Sequence, residues 1–513
     1  MNTSKFELNG YLEASSDLSL FKRDLEVLIE EANKDILQRG VPTGAFGARV
    51  AEWHLQNRIL NVRIEGTRFV TAHDAIKRLK NFLTDRLKEK KVSVRRIFID
   101  RYVMEIDAAK ERVGIIKEYA PVKNVEVLNG RAKVILENID EATLDRGDIH
   151  RLIKFIAPEV RTIKGELSRK VGLIFKRSRR KKVRFNGDVT ETALKLSWIR
   201  SFPGRGQWYY MPQYAALQTA LKDLLIEKIS KPFDFVEILL PKLLPIEVAF
   251  TAKKIQGEPG GMFYVCPPRV REKDEYIPLQ VKAEITGELP MEELEELLEK
   301  PGYVLDPAQC TPFYQLYRNK TIREEDMPMK VYEYGGPTYR YEAGGVKGIE
   351  RLCEFWRVEH IWLGTPKMVE DIRAELMRRA TEVVDKYLDL EWRIQFAGDT
   401  FYLAEDQRID EDIEIPEAPK YEWQFYLPYK GPRDAEVRDV WLACGSFNSH
   451  GNHYTKHFNI KSTSGEVVWT GCFGIGMTRF ITAFLAQYGF DFDDWPIEVK
   501  RRIGQLPSAP EPV

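Results

Sequence analysis

Between residues 339 and 359 the chain reads Tyr339-Arg340-Tyr341-Glu342, a glycine-rich turn, and then Arg351-Leu352-Cys353-Glu354-Phe355-Trp356-Arg357-Val358-Glu359. Strand-like segments flank residues 343–349, where glycine supplies the backbone angles of a hairpin loop. Side chains alternate across a strand, so Arg340 and Glu342 share one face, and Arg351, Phe355, Arg357 and Glu359 share a face on the return strand. One surface then carries three guanidinium groups, two carboxylates and a flat ring. Guanidinium forks fit phosphate oxygens and a ring fits a stacked base, so this set would hold a nucleoside triphosphate without a P-loop. Alternating charge is also the usual state of a solvated antiparallel face. A second block therefore matters: Gly471-Cys472-Phe473-Gly474-Ile475-Gly476-Met477-Thr478-Arg479 is a glycine-rich strand end that runs into an arginine-bearing helix. Glycines let a backbone approach a ligand closely.

The elements that position these residues are predicted as follows. The helix after Gly476 continues to Tyr488 and is apolar on more than one side, so it is expected to be buried. Upstream, a helix over 214–229 leads into an apolar run containing Pro241, and a proline there marks an edge or bulged strand. Residues 1–165 read as a mixed α/β domain: helices at 17–31, 74–91 and 148–156, strands at 59–64 and 92–99, and a hairpin over 123–136. Residues 166–205 read as a basic linker and 206–513 as the catalytic domain, with an insertion at about 255–305 that ends in a short acidic helix.

The chain has 513 residues, enough for two or three domains, with 43% apolar and 30% charged side chains. It has no apolar run of membrane-spanning length and no signal-peptide pattern. Its five scattered cysteines do not form a disulfide framework, and a reducing cytoplasm is expected. Net charge is zero but uneven. Residues 1–200 hold 41 Lys plus Arg against 28 Asp plus Glu, and residues 151–190 hold 13 against 3. Such a run is either a solvated linker or the footprint of a nucleic-acid binder.

The 339–359 block resembles motif 2 of class II aminoacyl-tRNA synthetases, Gly471–Arg479 resembles motif 3, and the helix with the Pro241 strand resembles motif 1. The resemblance implies an α+β fold: an antiparallel catalytic sheet flanked by helices, behind an N-terminal tRNA-binding domain. It implies that Arg340, Arg351 and Arg479 contact ATP phosphates, that Phe355 stacks on adenine, and that Glu342 faces the amino group of the substrate or the adenine. It also implies magnesium with the ATP and a homodimer joined at the motif 1 strand.

Cys310, Glu359 and Cys472 lie in segments expected to converge on that sheet face. Two thiolates and a carboxylate can hold zinc and leave a position open, the mark of a catalytic site. His450, His453 and His457 are a rival ligand set. With the large N-terminal domain and the basic junction, this pattern resembles the type-2 seryl-tRNA synthetases of methanogenic archaea. The resemblance implies ligation of serine to tRNA through seryl adenylate, with one zinc per chain reading the serine amino group. Arg357, Ser446 and Asn448 would join the substrate pocket. Where that family carries an acid before motif 3, this chain has Ala443, and residues 399–404 replace a tryptophan and glutamine loop. A synthetase-like paralogue that adenylates another small amino acid, or loads another acceptor, is the alternative.

Overall fold

The computed structural model describes residues 4–42, 44–108, 113–156, 170–342, 344–398, 414, 416–434 and 440–508. The chain divides into two compact units, Met1–Thr162 and Ile163–Val513.

The first unit contains β1 (Lys5–Ala14), α1 (Lys22–Lys34), β2 (Ala48–Gln56), β3 (Ile59–Thr67), α2 (Ala72–Leu87), β4 (Val94–Asp107), β5 (Val122–Leu128), β6 (Arg131–Asp140), α3 (Glu141–Asp145) and α4 (Asp148–Ile156). Its six strands form an antiparallel sheet in the order β2-β3-β1-β4-β6-β5. One face of β1, namely Phe6, Leu8, Leu12 and Ala14, is buried in this unit's own core. The first helix starts at Lys22, later than the predicted residue 17. Asp17 accepts a bond from the Ser19 amide at 2.8 Å, and a tight turn over Ser19–Phe21 precedes the helix.

The second unit is built on a nine-stranded sheet. Its strands are β7 (Ile174–Arg177), β8 (Val236–Glu237), β9 (Met329–Glu333), β10 (Pro337–Tyr339), β11 (Glu354–Gly364), β12 (Trp392–Ala397), β13 (Lys420–Tyr426), β14 (Trp441–Gly451) and β15 (Trp469–Gly476). The order is β8-β9-β11-β15-β14-β13-β12-β7, with β10 paired to β11. Among the described strands of this sheet, only the β8–β9 pair is parallel. Helices α5 (Pro212–Leu225), α6 (Pro366–Val383) and α7 (Met477–Tyr488) share one apolar core with the sheet. All but one residue of α7 are buried. Phe447 and Phe473 stack at the centre, with ring centroids 4.1 Å apart. Removing such a ring costs about 3–5 kcal/mol.

Residues 166–205, predicted as linker, carry more structure than that. Within the described part, β7 is hydrogen-bonded to β12 at the sheet edge and Val189–Lys195 is a short helix. The exposed basic side chains disguised a strand that pairs on one side only. The hairpin around 343–349 also differs from expectation. Its paired strands are only β10 and the start of β11, so Arg340, Glu342 and Arg351 stand in the long turn between them. Gly344, Gly345 and Gly348 interrupt the ladder there. In the insertion, Tyr303–Leu305 is the central strand of a small antiparallel sheet and pairs with Leu243–Pro245 on one side and Phe263–Val265 on the other. No helix among the described residues is long and apolar enough to cross a membrane.

Candidate active site

The face of the sheet away from α6 and α7 forms a cleft whose composition follows from strand parity. On β15, Phe473 and Ile475 point into the core, so Cys472, Gly474 and Gly476 point into the cleft. On β14, Phe447 is core and Ser446 and Asn448 face the cleft. On β11, Val358 is core while Phe355, Arg357 and Glu359 face the cleft side. The pairing register puts Glu422, Ser446, Gly474 and Glu359 in one row across four strands.

Three guanidinium groups meet at one end of this cleft. Glu342 is buried between two of them: Arg351 Nε donates to it at 2.7 Å, and Arg340 Nε lies 3.5 Å from its other oxygen. Arg340 also reaches Glu258 at 3.2 Å. Arg479 comes from the first turn of α7 and donates to the backbone carbonyls of Glu350 (2.8 Å) and Ala443 (3.1 Å). Burial lowers its pKa, and Arg340 and Arg351 push it the same way. Guanidinium groups that share one carboxylate and crowd a buried third favour an added anion such as a polyphosphate. Phe355 lines the cleft beside them, with the Arg357 guanidinium 5.3 Å from its ring centroid.

Cys310, Glu359 and Cys472 converge one row away. All three are buried, and their ligand atoms lie within 4.8 Å of one another. The Cys310 thiol, then burial, then the Glu359 carboxylate hold the Cys472 thiol well above its usual pKa. Groups that each shed a proton to bind a metal are crowded here in a dry site, so a divalent cation fits them. Asn448 Nδ2 donates to Cys472 Sγ (3.3 Å) and to Ser446 Oγ (3.0 Å), and Arg357 donates to Glu359 at 3.2 Å. Gly474 is required by this packing. A Cβ there would meet Glu359 Oε2 at 2.4 Å and Arg357 Cδ at 2.9 Å.

His450, His453 and His457 form no metal-ligand group among the described residues. His450 bonds Thr470 at 3.0 Å, and His457 bonds the His453 carbonyl at 2.6 Å. Residues 399–404 lie outside the described residues. The cleft also contains Glu350, Lys420, Glu422 and Thr478, which sequence reasoning missed. The signal for two of them was present: Lys420-Tyr421-Glu422-Trp423-Gln424-Phe425 alternates polar and apolar as a half-open strand should. A second cluster, His73, Asp74 and His150, lies in the first unit and was not anticipated either.

Residues 4–158 match the family model of a tRNA-binding domain, and residues 295–488 match that of the class II tRNA synthetase core domain (G, H, P, S and T). The type-2 serine–tRNA ligase of Methanopyrus kandleri is 40% identical, over 98% of both chains. That of Methanocaldococcus jannaschii is 37% identical, over 99% of this chain and 98% of its own. A crystal structure of M. kandleri SerRS in complex with A. aeolicus tRNASec superposes with a TM-score of 0.81 at 38% identity, covering 100% of this chain and 99% of that one. Likeness of this degree spans both units and the whole cleft, and the chain belongs to the type-2 serine–tRNA ligase family.

Proposed function

We propose that this protein activates serine with ATP and ligates it to tRNA. The observation that carries the reading is a cleft lined by Arg340 and Arg479, with Arg351 joined to it through Glu342, beside a buried Cys310–Glu359–Cys472 set on one sheet face. Arg340, Arg351 and Arg479 hold the triphosphate, and Phe355 stacks on adenine. The serine carboxylate attacks the α-phosphorus in line, the bond to the β-phosphate oxygen breaks, and pyrophosphate leaves. A ribose hydroxyl of tRNA then attacks the acyl carbon, and AMP departs. These residues act by positioning and by fixed positive charge where negative charge develops.

Cys310, Glu359 and Cys472 would hold zinc, which when bound supplies a Lewis acid with an open position for the serine amine. Glu342, held between Arg351 and Arg340, would face the substrate amino group or the adenine, and magnesium would enter with the ATP phosphates. Ser446 and Asn448 stand beside the triad and would read the serine hydroxyl. A site built to bond a hydroxyl rejects analogues lacking it by roughly 10⁴-fold, so alanine should be a very poor substrate. The free thiols of the triad suit a reducing cytoplasm.

The deciding experiment is ATP–pyrophosphate exchange across a panel of amino acids. Exchange with serine alone supports the reading. Exchange with a different amino acid alone would favour the paralogue, and no exchange with any would remove the adenylation step.

A further inference from the structure

A second cavity opens on the same sheet face, toward the β7 edge. Arg177 on β7 pairs in register with Arg393 on β12, Arg393 with Gln424 on β13, and Gln424 with Ala443 on β14. The neighbours of this row, Trp392, Ile394, Trp423 and Phe425, are buried in the core on the helix side. The row therefore lies on the cleft side and ends at Ala443, which lines the triphosphate cleft. Three strand spacings separate Arg177 from Ala443, roughly 14–15 Å.

The walls of this cavity have the chemistry of a single-stranded nucleic-acid site. Arg177, Arg179, Arg393 and Trp441 line it. The Arg393 guanidinium lies over the Trp441 ring at 4.6 Å, and Trp441 packs against Tyr426 with centroids 5.4 Å apart. Nearby Arg433 is neutralised by Glu391 at 2.6 Å, whereas Arg177, Arg179 and Arg393 have no ion pair among the described residues. Stacked planes beside unneutralised guanidinium groups suit an unstacked base with its phosphate. A hydrogen-bonded chain links this cavity to the cleft. Arg393 Nε donates to Gln424 Oε1 (2.7 Å), and Gln424 Nε2 donates to Glu422 Oε2 (3.1 Å). Glu422 lines the cleft opposite Ser446.

We propose that this cavity holds the single-stranded 3′ end of the tRNA. Phosphates lie on Arg177 and Arg393, a base lies against the Arg393–Trp441 stack, and the terminal ribose crosses Ala443 to the acyl carbon. The proposal rests on the reading that tRNA is the acceptor, and it names the part of that acceptor each residue holds.

A thermodynamic cycle tests it. Binding of intact tRNA and of the same tRNA stripped of its single-stranded 3′ nucleotides is measured for the wild type, Arg177→Ala, Trp441→Ala and Trp441→Phe. Removing the 3′ end should weaken wild-type binding roughly tenfold or more, the worth of a stacked base. Arg177→Ala and Trp441→Ala should each lose a large part of that factor with intact tRNA and little more with stripped tRNA. Trp441→Phe, which keeps a ring, should stay near the wild type. Pyrophosphate exchange, which needs no tRNA, checks that each variant's cleft is intact. Losses that add independently of the 3′ end, or intact-tRNA binding unchanged in both alanine variants, would overturn the proposal while leaving the ligase reading standing. A wild type that exchanges pyrophosphate with serine but neither binds nor charges tRNA would overturn the acceptor reading itself.

Discussion

At the residue scale, the site depends on what β15 omits as much as on what it carries. Gly474 lies between Ser446 and Glu359 in the pairing row, and its missing side chain leaves the space that Glu359 and Arg357 fill. Gly474→Ala should leave the fold intact, since the core side of the strand is untouched, and should cut serine-dependent exchange by roughly 100-fold, the usual cost of misplacing a catalytic group by about 1 Å. Near-normal exchange in that variant would contradict the packing account. The metal is tested separately. The purified protein should carry about one zinc per chain, and Cys310→Ala or Cys472→Ala should lose both the metal and the exchange activity. Asn448→Ala, which removes a donor to Cys472, should weaken metal binding by roughly 10–100-fold. Active protein with no zinc by elemental analysis would exclude this role for the triad.

At the element scale, alternation explains both what was legible and what was missed. Arg357 and Glu359 could be assigned to one face because β11 is a regular strand, and the same rule holds for Cys472 and Gly474 on β15. The turn residues Arg340, Glu342 and Arg351 could be named from their motif but not placed by parity, because glycines end the ladder and an ion pair sets the geometry. In the first unit, a helix was predicted at 74–91; it runs Ala72–Leu87, and the structure shows Thr71 as its cap. Its partners across 77 residues of sequence were not predicted. His73 bonds Tyr102 at 2.7 Å and His150 at 3.3 Å, and His150 bonds Asp74 at 3.1 Å. Burial pulls the His73 pKa down from 6.5 to about 4. Burial opposes the charge of Asp74, but bonds from His150 and Thr71 bring its pKa to about 2. The bond to Asp74 raises His150.

The signs of these shifts set the pH dependence of this unit. The His73 contribution is present above pH 6.5 and is lost as pH falls toward 4, because the unfolded chain binds the proton first. That of Asp74 is lost only between 3.8 and about 2. That of His150 runs the other way, fading as pH rises through its raised value. From pH 6.5 to 5 the loss at His73 amounts to about 2 kcal/mol. Amide exchange in α2 of the full chain, corrected for intrinsic rates, should therefore speed up on acidification to pH 5. His73→Gln should remove most of that dependence, and equal protection at pH 7 and pH 5 in the wild type would refute it.

At the scale of the whole molecule, charge and edges govern association. The basic run at 176–184 is partly an edge strand, with Lys176, Arg177, Arg179 and Arg180 exposed. Neutralising these four should weaken tRNA binding and flatten its salt dependence, by roughly 0.7–0.9 in the log–log slope for each phosphate that no longer meets a cation. An unchanged slope would mean that they face solvent only. At the opposite edge, Val236 and Leu239 are 67% and 74% exposed beside Pro241. If that edge joins two copies, the mass in solution should be twice 59.6 kDa, and Leu239→Glu should halve it. A wild type that sediments as a monomer would exclude the homodimer.

The sequence by itself determined the elements and the chemistry each could offer: the arginines of the two motifs, the glycines of β15, the alternation of β13 and the basic run. These are local properties, set by side-chain period and residue type. Only the tertiary structure decided which of them meet. Cys310 joins Glu359 and Cys472 because its loop closes over a sheet whose strands come from distant parts of the chain. Arg177 extends a row ending at Ala443 because β7 pairs with β12 across more than two hundred residues. Strand order and register are set by which faces bury apolar surface together, a property of the whole sheet that no single stretch of sequence contains.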